Sequence, residues 1–148
     1  MTFKTIKLLL IPMAIIFLTS CQTARWAVIT PDESSRRIEW SPEELAQEAA
    51  IRTLRQTSEA SYHVIRLNQS ERPHYHDHHD LAVFILSSEA LVHYGSKTIK
   101  ARQGDVVEVP RGTLHWAELI DSKPSEVYVI FTPAFDGKDT RFAKACCG

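Results

Sequence analysis

The chain has 148 residues, 44% of them hydrophobic and 24% charged, with a formal net charge of −1. That is one ordinary domain's worth of chain, with no room for a second. The near-neutral balance argues against a nucleic-acid binder, which needs a basic face. Five Gly and seven Pro exclude collagen-like or low-complexity sequence, and three Cys are too few for a disulfide framework.

Lys4 and Lys7 are the only charges ahead of an apolar run of eleven residues, Leu8 to Leu18. A bilayer span takes about 20 residues, so this shorter run fits the apolar region of a signal peptide over residues 1–20. It ends in Leu18-Thr19-Ser20-Cys21. Small residues before a cysteine resemble the lipobox of bacterial lipoproteins. That resemblance implies cleavage before Cys21, lipidation of Cys21 (palmitate included) and membrane attachment through the lipid. Cleavage removes 20 residues and two lysines, leaving 128 residues with 15 basic and 18 acidic groups, a net charge of −3. Gln22 is not the Asp that typically retains such proteins at the inner membrane. The resemblance therefore favours the outer membrane, on its periplasmic side.

Residues 21–40 are polar, with Pro31 and an Asp32-Glu33-Ser34-Ser35 run, and read as a lipidated tether lifting the domain off the membrane. Ser41-Pro42-Glu43-Glu44 then predicts a helix start. Ser41 is a good N-cap, Pro42 sits at the first helical position and Glu44 completes a capping box. Leu45, Ala49 and Leu54 follow at roughly helical spacing, so the segment 41–60 is expected to carry one helix, ending near Gln56 and packed outside a sheet.

From Tyr62 the pattern changes to short β-prone runs between turn signals, which predicts an all-β sandwich or barrel over residues 61–133. The runs are Tyr62 to Leu67, His74 to His76, Leu81 to Ser87, Leu91 to Tyr94, Lys97 to Ala101, Val106 to Val109, His115 to Ile120 and Glu126 to Thr132. Gly95-Ser96, Gln103-Gly104-Asp105 and Pro110-Arg111-Gly112-Thr113 mark turns. The nearly continuous hydrophobes of Leu81 to Leu86 suggest that both faces of that strand are covered, and by analogy with related barrels that covered face allows a homodimer. Residues 134–148 read as a polar tail ending Cys146-Cys147-Gly148. Free thiols are not expected to persist in an oxidising periplasm.

Five of the seven histidines fall in two places, His74-Tyr75-His76-Asp77-His78-His79-Asp80 and His115. Alternate residues of a strand share a face, so His74 and His76 project together. Imidazole is the commonest metal ligand near neutral pH. Asp80, after a turn, can face back toward the same point, and His115 at the head of a later strand can close the set.

These residues resemble the two motifs of the cupin superfamily. The first reads His74-x-His76, three residues, then Asp80 where the family has Glu, and Ser87 where it has Gly. The second reads Gly104-x5-Pro110-x-Gly112-x2-His115, with Leu119 where Asn is usual. The resemblance covers about residues 62–132. It implies a small antiparallel jelly-roll barrel with a divalent metal ion (Fe, Mn, Zn, Ni or Cu, not distinguished) held by His74, His76, Asp80 and His115. Asp is one methylene shorter than Glu. Asp80 is therefore a ligand after a small shift, or orients a histidine instead, or yields the fourth position to His78 or His79.

Such a set leaves coordination positions open, as catalysis requires. The predicted walls are less reactive. Ala82 and Phe84 share parity with Asp80, and Ala117 and Leu119 with His115, so a small, partly apolar ligand suits them. Arg111 reads as a rim residue able to receive an anionic group or as a solvated turn residue, Tyr62, Tyr94 and Tyr128 as proton donors or as core and strand-face aromatics, and His63 and His93 as structural or exposed. Two functions stay open: a metal-dependent enzyme acting on a small molecule in the cell envelope, and a non-catalytic ligand- or metal-binding module.

Overall fold

The computed structural model describes residues 26–29 and 35–144. The signal segment 1–20, Cys21, Cys146 and Cys147 lie outside the described residues. A short ladder joins β1 (Val28–Ile29) to β2 (Ser35–Arg36) ahead of the barrel.

Ser41 caps a helix as the sequence predicts. Its side chain accepts the Glu44 N–H, and Glu44 reaches back to the Ser41 N–H at 2.7 Å. The helix α1 (Pro42–Leu45) nonetheless stops after one turn, and β3 (Ala49–Gln56) replaces its expected continuation. The helical reading of 46–56 is thus corrected. Ile51 and Thr53 are β-branched, and tertiary pairing decides the rest. Residues 49–56 add as an edge strand to β4 (Ser61–Leu67), from Ala49 beside Leu67 to Gln56 beside Ser61. Glu48 carbonyl takes the Asn68 and Gln69 N–H groups at 2.9 and 3.1 Å and locks the open end of this hairpin.

Every predicted strand run forms a strand: β4, β5 (His74–Tyr75), β6 (Asp80–Ser87), β7 (Glu89–Tyr94), β8 (Lys97–Arg102), β9 (Val106–Val109), β10 (His115–Leu119) and β11 (Ser125–Thr132). A last strand, β12 (Arg141–Phe142), falls where the sequence reads as a tail. Two antiparallel five-stranded sheets result, in the orders β12-β5-β10-β7-β8 and β3-β4-β11-β6-β9.

Their inner faces enclose the core. Leu81, Ile85, Val109, Val127, Val129 and Phe131 come from one sheet, Val92 and Ala101 from the other. Each such Val, Leu, Ile or Phe side chain, fully buried, contributes about 1.5–3 kcal/mol. Strand parity then sends Tyr128, Ile130, Ala82 and Phe84 outward. Ala82 and Phe84 are therefore outer-face residues, not cavity wall, and Phe84 is 37% exposed. Tyr94 Oη donates to the Glu108 carbonyl at 2.9 Å and ties β7 to β9 across the sheets.

Candidate metal centre

Two short strands and one turn bring the histidines together. His74 on β5 and His115 on β10 are direct Cα partners in the ladder. The turn before His115 needs Gly112, whose φ of +74° is a left-handed conformation that L side chains rarely adopt. Its N–H donates to the His76 carbonyl at 2.7 Å, so the bend that aims His115 is tied to the His74–His76 segment.

The three rings are 93–94% buried, and one ligand atom from each lies within 4.8 Å of the others. Ring centroids are 4.4 Å apart for His74 and His115, 5.1 Å for His74 and His76, and 5.4 Å for His76 and His115. Each Nδ1 faces a main-chain carbonyl: Arg72 at 2.8 Å for His74, Asp139 at 2.8 Å for His76, and Thr113 at 2.9 Å for His115. A carbonyl only accepts, so Nδ1 carries the proton in all three, and Nε2 is left with its lone pair. Burial lowers the basicity of His76, and holds His115 down at about 4, helped by the two neighbouring rings. Both rings are thus neutral near pH 7 and in the form that ligates. This donor set fits a divalent metal.

Asp80 is not brought to this group. It heads β6 on the outward parity, and its carboxylate is clasped by Arg111. The Arg111 backbone N–H donates to Oδ1 at 2.8 Å and its Nη2 to Oδ2 at 2.5 Å. The Arg111 side chain, followed by its backbone N–H, holds the Asp80 carboxyl down at about 2. His78 is exposed. His79 is buried, but its Nδ1 meets Asp139 Oδ2 at 2.5 Å and its Nε2 the Ala134 carbonyl at 3.2 Å, away from the cluster. His63 bonds Ser61 and Thr53 through its two nitrogens, and His93 stacks on Trp116, so both are structural as expected. None of Tyr62, Tyr94 and Tyr128 lines the cavity at the histidines.

Asp139 is the residue that sequence reasoning misses. Its side chain accepts the Asp77 N–H at 3.0 Å, the His78 N–H at 2.8 Å and His79 Nδ1, while its own carbonyl orients His76. Burial works to raise its carboxyl, but the hydrogen bonds from His79, His78 and Asp77 outweigh it and hold the group at about 2. Arg141 clasps Asp77 at 2.6 and 2.8 Å and lies over Tyr75 at 4.1 Å. Residues 134–144 are therefore a strap across the mouth of the barrel. The signal in the sequence was the Phe135-Asp136-Gly137-Lys138-Asp139 stretch, which resembles a tail of some small cupins but reads equally as solvated chain.

Below the histidines lies a cavity of about 350 Å³. Its walls are mainly Leu81, Val83, Ile85, Val92, Val127, Val129 and Phe131, closed at the histidines by Phe135 and Phe142. Glu71 is its acidic member nearest the histidine strand. Its carboxylate accepts the Ala117 N–H at 2.8 Å, and burial raises its pKa against the pull of His74 and that hydrogen bond. In sequence Glu71 sits in a charged loop and gives no sign of this place.

Residues 62–131 match the Cupin domain family, Cupin_2. An uncharacterized protein of Aquifex aeolicus (strain VF5) is 31% identical over 94 residues, covering 64% of this chain and 77% of that protein. KdgF from Halomonas sp. shares the fold at a TM-score of 0.55 and 20% identity, covering 60% of this chain and 82% of its own. So does an uncharacterized conserved protein with a double-stranded β-helix domain from Klebsiella pneumoniae subsp. pneumoniae MGH 78578, at a TM-score of 0.55 and 18% identity, covering 74% and 99%. Sequence match, facing antiparallel sheets and the paired histidine strands agree: the chain belongs to the cupin family.

Proposed function

We propose that the protein holds one divalent metal ion through Nε2 of His74, His76 and His115 and is a metal-dependent enzyme acting on a small, largely apolar molecule in the cavity. The observation that carries this reading is the convergence of three buried imidazoles whose other nitrogens are all committed to main-chain carbonyls. Three neutral ligands leave the charge of a divalent ion undiminished. When bound, such an ion supplies Lewis-acid polarisation of an oxygen on the substrate. The chain's own residues do the rest. Val83, Val127, Val129 and Phe131 seat an apolar body and exclude water, while the strap keeps His76 in place.

A non-catalytic binding module is the second reading, and the cavity wall favours it. Apart from the histidines, the Ser70-Glu71-Arg72 stretch and Thr140, the wall near the cluster is aliphatic or aromatic. The reading also includes an address: a lipoprotein carried by lipid on Cys21, at the outer membrane on its periplasmic side.

Elemental analysis of protein purified without a metal-affinity tag tests the metal. About one equivalent in the wild type, lost in His115→Ala with the circular dichroism spectrum retained, is the expected result. A folded wild type that takes up no divalent metal overturns it. Turnover of a metabolite library, abolished by the same substitution, selects the enzyme. Saturable binding without turnover selects the module.

A further inference from the structure

The segment that precedes the barrel is fastened to it. Trp26 Nε1 donates to Glu126 Oε2 at 2.8 Å, and Trp40 Nε1 to Glu126 Oε1 at 2.8 Å. Arg66 Nη1 meets Oε1 at 2.9 Å. Glu126 stands on the outer face of the sheet, on the same side of β11 as Tyr128 and Ile130. Across the ladder Tyr128 is flanked by Phe84, and Phe84 in turn by Val106. Tyr62 lies beside Ile130. This face exposes apolar surface: Phe84 is 37% and Val106 52% accessible.

We propose that this outer face lies against the membrane surface to which a lipid on Cys21 fastens the chain, with Phe84, Tyr128 and Val106 among the headgroups. The proposal rests on the lipid anchor proposed above. Five residues lead from Cys21 to Trp26 and reach at most about 18 Å even when fully extended. Trp26 is therefore leashed within that distance of Cys21, and the Glu126 end of the patch lies one indole–carboxylate contact beyond it. Alternate residues of a strand are about 7 Å apart, so Tyr128 and Ile130 follow at about 7 and 13 Å from Glu126. The leash and the aromatic patch thus share one flank of the barrel. Aromatic rings favour the membrane–water interface, and Arg55, over the Tyr62 ring at 5.9 Å, can meet anionic headgroups. The outer face of the opposite sheet carries Trp116 stacked on His93 among more charged groups, the Lys100–Glu89 ion pair, Glu118 and Arg102, whereas exposed Glu108 is the acidic neighbour of Ala82 on the proposed face.

Hydroxyl-radical footprinting of the full chain on phosphatidylethanolamine–phosphatidylglycerol vesicles tests this, with Cys21→Ser in solution as reference. On vesicles, oxidation of Tyr62, Phe84 and Tyr128 falls several-fold while that of His93 and Trp116 is unchanged. Equal oxidation of both faces in protein whose intact mass shows the lipid overturns the docking face alone. An intact mass without lipid overturns the anchor and the proposal with it. Protection already present in Cys21→Ser, accompanied by a dimer mass in solution, overturns it in favour of a second copy of the chain.

Discussion

A main-chain oxygen fixes each ligand imidazole, but only one of those oxygens is itself held by its own side chain. Asp139→Asn keeps an oxygen for the Asp77 N–H but replaces the Oδ2 acceptor of the His78 N–H and His79 by an NH2 donor, and so loosens the carbonyl that orients His76. Metal affinity is expected to fall by about 10–100-fold, read by competition with a chelator. His115 predicts a pH dependence for the metal-free protein. Its folded-state value of about 4 lies below the unfolded value of about 6.5. Between those limits the unfolded chain binds more protons, so stability falls as pH falls from about 6.5 to about 4 and is level above. The loss from this group is about 3 kcal/mol, measured by urea unfolding at intervals across that range, and His115→Gln removes that part of the slope while the burial of His76 and His63 keeps the rest. The three histidines were legible because Gly112 and Pro110 announce the bend and His74-x-His76 announces a shared face. Asp139 was not, because it acts on residues 60 to 63 positions away and no local spacing encodes that.

Among the elements, Glu126 gathers three donors onto one carboxylate and so unites the N-terminal segment with β11. Glu126→Ala leaves two indole N–H groups and a half-buried guanidinium without their acceptor. A destabilisation of about 1–3 kcal/mol is expected, together with a red shift of tryptophan emission as Trp26 and Trp40 meet water. The strand order was recoverable from alternation and turn residues, since both are local. The helix from Ser41 was legible only at its start. Its capping box forms, but propensity beyond it yields to an open edge on β4, which takes residues 49–56 as a strand. Asp80 shows the limit of spacing arguments in another way. Counting from His76 gives its distance along the chain, while the pleat of β6 decides its side, and Leu81, Val83 and Ile85 occupy the inner one.

At the scale of the molecule, the last described residues complete the first motif. β12 pairs with β5, Ala143 N–H donates to the Pro73 carbonyl at 2.9 Å, and Phe142 packs under Arg72 at 3.9 Å. A chain ending at Pro133 retains every strand from β3 to β11 but loses the strap. It is expected to show a β-type circular dichroism spectrum and no stoichiometric metal by elemental analysis. The orienting oxygens at Arg72 and Thr113 carry a consequence for genetics. A codon change can alter any side chain, yet it cannot delete a peptide carbonyl. Saturation mutagenesis scored on metal content should therefore light up positions 74, 76, 115 and 139 and leave 113 dark although it aims a ligand, while 72 registers only through the packing of its side chain on Phe142.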